Sequence, residues 1–77
     1  MVKPNEIRLK ILAFLSKNGQ RHSSQVSKAV GISSDSAYHH LMVLAVDGFV
    51  EKIPISERVI LWKITKAGLE HLKLNKK

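Results

Sequence analysis

Between Ser24 and Val50 the chain reads SQVSKAVGISSDSAYHHLMVLAVDGFV, and the Gly31-Ile32 pair inside it is the strongest constraint on the fold. Gly31 takes a positive φ without Cβ strain and so ends one helix. Ile32 is the apolar residue after that stop and folds back onto the core. Ser33 or Ser34 then caps a second helix through its hydroxyl. Asp35 falls in that helix's first turn, where a negative charge suits the dipole. The second helix runs to about Val46 and stops at Asp47-Gly48. A short helix, a tight turn and a longer helix make a helix-turn-helix unit, whose longer helix is the one that enters a DNA groove.

Advancing about 100° per residue along the longer helix gathers Ala37, Leu41 and Leu44 on one side as the core stripe. Asp35, Ser36, His39, Met42 and Val43 lie mostly on the far side, flanked by Tyr38 and His40. No Lys or Arg occurs between Lys28 and Lys52. If this face reads bases, it does so with Ser, Tyr and His. Electrostatic attraction has to come from elsewhere on the fold.

A source for it exists. Lys plus Arg number 13 against 6 Asp plus Glu, a formal net charge of +7 in 77 residues. Such a surplus on one small domain favours a polyanionic partner, nucleic acid above all. With 44% hydrophobic residues a modest core is available. There are no cysteines, which excludes disulfides and thiolate metal sites. No apolar run approaches the roughly 18 residues of a membrane span. MVKPNEIRLK carries charges throughout and no small-residue cleavage site, so no signal peptide is expected and an intracellular, cytoplasmic location is.

In chain order, residues 4 to 18 form the first helix, with Pro4 at its start, Glu6 in its first turn and Gly19 as its stop. Ile7, Ile11, Phe14 and Leu15 make its core stripe. Leu9 and Leu12 fall on another side, which fits either a second subunit or ordinary packing in the monomer. Gln20 to Ser23 holds Arg21 and His22 and reads as a small strand, with Arg21 either a phosphate contact or a solvated charge. Ser23 or Ser24 caps the helix Gln25 to Val30, with Val26, Ala29 and Val30 inward and Lys28 outward. Phe49 to Pro54 and Val59 to Ile64 read as a β-hairpin joined by Ile55-Ser56-Glu57-Arg58. Pro54 lacks an amide donor and belongs at a strand end or edge. Arg58 at the tip reaches the minor groove or a phosphate, or else is a solvated turn residue paired with Glu57. Lys52 and Lys63 are candidates for backbone contacts. Trp62 shares a strand face with Ile60 and Ile64 and packs in the core or at a subunit interface. Thr65 caps a last helix, Lys66 to about Leu74, striped by Leu69 and Leu72; the tail Asn75-Lys76-Lys77 is polar and frays.

The order helix, strand, helix, helix, hairpin, helix is an α+β, mostly helical, winged helix-turn-helix arrangement, expected to span residues 1–77 as one domain. ISSDSAYHHLMVLAVDGFVEK resembles the recognition-helix segment of the ArsR and MarR superfamilies of prokaryotic regulators. The matching positions are Ser33-Ser34, Ala37, His40-Leu41, Leu44 and Gly48-Phe49-Val50. LWKITKAGLEHL resembles the strand-to-helix exit of the same families, with Thr65, Lys66, Ala67 and Gly68 in place. The resemblance covers about residues 5 to 74. It implies a dimeric transcriptional regulator on double-stranded DNA, with recognition helices in major grooves about 34 Å apart. Ser34, Asp35, Ser36, Tyr38 and His39 would face the groove and Arg58 would serve the wing. Ser33, Met42, Lys52, Arg21, Ser24 and Lys28 complete the expected DNA-contact set. A homodimer would draw on Leu9, Leu12, Leu72, Leu74 and Trp62.

Other classes fit less well. No Gly-rich phosphate loop, paired carboxylates or nucleophile motif points to an enzyme. The histidines are His22, His39, His40 and His71; the adjacent pair points about 100° apart on a helix and does not serve one metal site. No metal, cofactor or small-molecule ligand is expected. The rivals are an architectural, non-sequence-specific DNA binder and a protein-interaction module, the latter favoured by Met42, Val43 and Val46 if they are exposed.

Overall fold

The computed structural model describes residues 3–75; Lys76 and Lys77 of the expected tail lie outside them. The order is α1 (Pro4–Asn18), β1 (Arg21–His22), α2 (Ser23–Val30), α3 (Ser34–Val46), β2 (Val50–Pro54), β3 (Ile60–Ile64) and α4 (Lys66–Asn75). The strands form one antiparallel sheet in the order β1-β3-β2. Pro54 closes β2, an edge strand whose outer side needs no amide donor.

The core is Ile11, Leu12, Leu15, Val26, Ala37, Leu41, Leu44, Val50 and Trp62. The stripe Ala37, Leu41 and Leu44 on α3 is the expected one. On α1 the buried arc is turned. Leu12 is fully buried, whereas Ile7 and Phe14 are only half-buried. The arc Ile11, Leu12, Leu15 is rotated about 60° from the expected stripe, because α1 packs on α2, α3, α4 and β3 together. Leu12 is therefore core and not a dimer contact. Trp62 is likewise fully buried, which removes it from any subunit interface.

Two further expectations change. On α2 the inward residues are Val26 and Ser27, while Ala29 is exposed. Ser27 and Ala29 flank the midline of Val26 and Val30 equally, and the side packed inward is that of Ser27, whose hydroxyl is satisfied by donating to the Ser24 carbonyl at 2.8 Å. The N-cap of α2 is His22, not a serine: its Nδ1 accepts from the Ser24 amide at 3.1 Å, and the Gln25 side chain accepts from the His22 amide at 3.0 Å. On α4 the stripe is weaker than expected, since Leu69 is exposed and Leu72 half-buried.

The exit of α3 and the exit of the hairpin are tied at one point. Thr65 donates its hydroxyl to the Gly48 carbonyl at 2.7 Å and accepts from the Gly68 amide at 3.1 Å. The Thr65 amide donates to the Phe49 carbonyl at 3.0 Å. Gly68 is buried here, and a Cβ on it would meet the Phe49 carbonyl oxygen and come within 2.8 Å of Ile64 Cγ1. Only glycine lets α4 come this close.

Candidate nucleic-acid interface

Gly31 adopts φ 76°, ψ 37°, the left-handed cap that turns the chain between α2 and α3. Ser33 then caps α3: its hydroxyl oxygen accepts from the Ser36 amide at 3.1 Å and stands 3.0 Å from the Ser36 hydroxyl. The Ser33 and Ser36 hydroxyls thus hold the helix start. Ser34, Asp35, Tyr38 and His39 are exposed along the outer face. Met42 is half-buried and packs against the core, so it is a support residue more than a contact. Val43 is also half-buried, which leaves only Val46, 84% exposed, of the apolar patch expected on this helix.

Tyr38 is held by the sheet. Its ring stands on Trp62 edge to face, with centroids 5.8 Å apart and planes at 80°. This contact joins α3 to β3. A second tie runs to α1: Arg8 Nε donates to His40 Nδ1 at 3.2 Å. An accepting Nδ1 requires a neutral ring protonated at Nε2. The His40 pKa is accordingly lowered, first by burial, then by the Arg8 charge and by His39. No spacing in the sequence announces a pair 32 residues apart. The tie follows from the turned arc of α1, which carries Arg8 toward α3.

The remaining candidates are spread over three elements and a loop. Ser24, half-buried, is engaged with His22, whose Nδ1 stands 2.9 Å from the Ser24 hydroxyl. Lys28 is exposed on α2 and Lys52 on β2. Arg21 on β1 is half-buried and donates to the Gln20 carbonyl at 2.8 Å. Arg58 is exposed in the loop between β2 and β3, where the Ile55 and Ser56 amides both donate to the Val59 carbonyl. The structure thus brings Ser34, Asp35, Tyr38 and His39 onto one face, sets Lys52 and Arg21 on the two strands that flank Trp62, and leaves Lys28 and Arg58 on separate elements. Of the expected dimer residues, Leu9 and Leu72 line a groove of about 330 Å³ between α1 and α4, and Leu74 is 85% exposed.

Among the described residues no group of three or more His, Asp or Glu is placed to hold a metal ion. No helix among them is long and apolar enough to cross a membrane.

Known proteins share this geometry. The YusO protein from Bacillus subtilis superposes with a TM-score of 0.82 at 19% identity, over 87% of this chain and 49% of that one. The transcriptional regulator homologue protein from Pyrococcus horikoshii OT3 superposes at 0.79 with 29% identity, over 91% of this chain and 72% of that one. The Zalpha domain from Carassius auratus PKZ, solved in complex with Z-DNA, superposes at 0.72 with 21% identity, over 80% of this chain and 97% of that one. The chain spans about half the length of YusO. No curated protein matches it by sequence. The family model described as bacterial regulatory protein, arsR family, matches residues 5–52. The chain therefore belongs to the ArsR family of bacterial regulatory proteins, non-enzymatic DNA-binding transcription regulators with a winged-helix fold.

Proposed function

We propose that the chain binds double-stranded DNA in the cytoplasm as a homodimer, with α3 in the major groove and the β2–β3 hairpin as a wing on the backbone or in the minor groove. The outer face of α3 carries this reading. Ser34, Asp35, Tyr38 and His39 are exposed side by side on a helix whose start is capped and whose far side is core. These groups form hydrogen bonds with base edges and phosphates. The net charge of +7 supplies the attraction that α3 lacks. The second subunit would dock on α1 and α4 through Leu9, Leu72 and Leu74. No cofactor enters this mechanism.

A second reading is a binder of DNA shape without sequence preference. It is favoured by the absence of Lys and Arg on α3 and by the likeness to a winged helix solved with Z-DNA. The protein-interaction reading loses part of its support, because Met42 packs against the core and Val43 is half-buried; Val46 and the absence of Lys and Arg on α3 still favour it. Sedimentation of the protein with a short duplex at low salt tests the proposal. Two chains per bound duplex are expected; one chain per duplex refutes the dimer, and no complex refutes DNA binding.

A further inference from the structure

Strand register brings together three residues that lie far apart in sequence. Arg21 on β1 faces Trp62 on β3, and Trp62 faces Lys52 on β2. Directly paired residues of antiparallel strands share a face of the sheet. Arg21, Trp62 and Lys52 are thus one row across the whole sheet, with the buried tryptophan between two cations. Two strand spacings put the flanking Cα atoms about 10 Å apart. The face is identified by its contacts: it is the side on which Tyr38 of α3 meets Trp62. Tyr38 is 41% exposed and Lys52 is exposed, Arg21 is half-buried and Trp62 is covered, so the row is accessible at its cationic ends and closed over the tryptophan.

The charges on the two faces differ. Lys63 pairs with Glu51, and both lie on the opposite face. The row Arg21–Trp62–Lys52 has no carboxylate opposite either cation. Lys52 and Lys63 are close in space on the same hairpin, yet only Lys52 stands on the side of α3 without a facing acid.

We infer that Arg21 and Lys52 form a two-point clamp for DNA backbone phosphates beside the recognition helix, with Trp62 as its spacer and Tyr38 as its inner wall. The inference rests on the duplex-binding reading above. A spacing of about 10 Å, with two long and adaptable stems, suits two phosphates one or two steps apart on one strand. The clamp sets the angle at which α3 lies in its groove, since phosphate contacts fix register and orientation. Lys63, by contrast, faces away and takes no part.

The test is the salt dependence of binding to one duplex by the full chain and by Arg21→Gln, Lys52→Gln, the double variant and Lys63→Gln. Removing one phosphate contact should lower the slope of log K against log salt by about 0.9. The clamp predicts a drop of that size for each of Arg21→Gln and Lys52→Gln, roughly twice that for the double variant, and none for Lys63→Gln. Unchanged slopes for Arg21→Gln and Lys52→Gln, with the parent chain binding normally, overturn the clamp and leave the duplex reading intact. An equal drop for Lys63→Gln overturns the assignment to one sheet face. Absence of salt-dependent binding by the parent chain overturns both.

Discussion

The outer face of α3 and the sheet beside it are built from opposite chemistry. The helix offers Ser34, Asp35, Tyr38 and His39 and no Lys or Arg, while the nearby cations stand on β1, β2 and the hairpin loop. On the proposed reading, discrimination between bases and attraction to the backbone fall to different elements. Attraction falls steeply with salt, whereas base-edge hydrogen bonds carry the sequence dependence. Two joints keep the regions in register: the Tyr38–Trp62 contact and the Thr65–Gly68 tie at the exits of α3 and the hairpin.

Breaking a joint should have the largest effect. Trp62 is fully buried and is the largest core side chain, so Trp62→Ala should cost about 3–5 kcal/mol, read by urea unfolding. Gly68→Ala forces a Cβ onto the Phe49 carbonyl and should cost about 3 kcal/mol in the same assay. A near-neutral result would mean that α4 slides at little expense and that the tie is slack.

The next predictions separate the two regions. Tyr38→Phe, which keeps the ring on Trp62, combined with His39→Ala should reduce discrimination between sequences by about 1–3 kcal/mol while sparing binding to unrelated duplex. Equal losses on every sequence would make them backbone contacts. Arg58→Ala should do the reverse, lowering the salt slope by about 0.9 without changing sequence preference. Unchanged affinity at low and moderate salt would leave Arg58 a solvated loop residue.

The smallest effect concerns pH. The fold holds His40 neutral, so the unfolded chain binds its proton more readily. Stability is then fully present above the ordinary histidine value of 6.5 and declines as pH falls below it toward the lowered folded value. Arg8→Met removes the guanidinium charge beside the ring and should flatten that decline in part, leaving the portion due to burial. A steeper decline in the variant would contradict the assignment of the Arg8–His40 bond.

Much of the helical frame was legible from local rules. The Gly31 turn, a serine cap at Ser33 or Ser34 and the stripe Ala37, Leu41, Leu44 depend on residues within a few positions of one another and are read from turn chemistry and periodicity; the structure puts the cap at Ser33. What required the third dimension was less accessible. Leu12 and Trp62 carry no local sign of whether they meet their own core or a second subunit. Arg8 and His40 meet only because α1 is rotated over α3. Helical advance separates the outward set on α3 from the core stripe, but Met42 turns inward under the packing of the core. The row Arg21–Trp62–Lys52 depends on the register of three strands, one of them two residues long. The His22 cap had a sequence sign, Gln25 three residues on, but serines beside it are the commoner caps.

The most direct measurement is selection of bound sequences from a randomised duplex pool by the purified chain. Division of labour between α3 and the sheet, acting in a homodimer, predicts an enriched palindrome with half-sites about one helical turn apart. Retention of duplex without any enriched sequence would contradict it, because α3 would then be reading nothing.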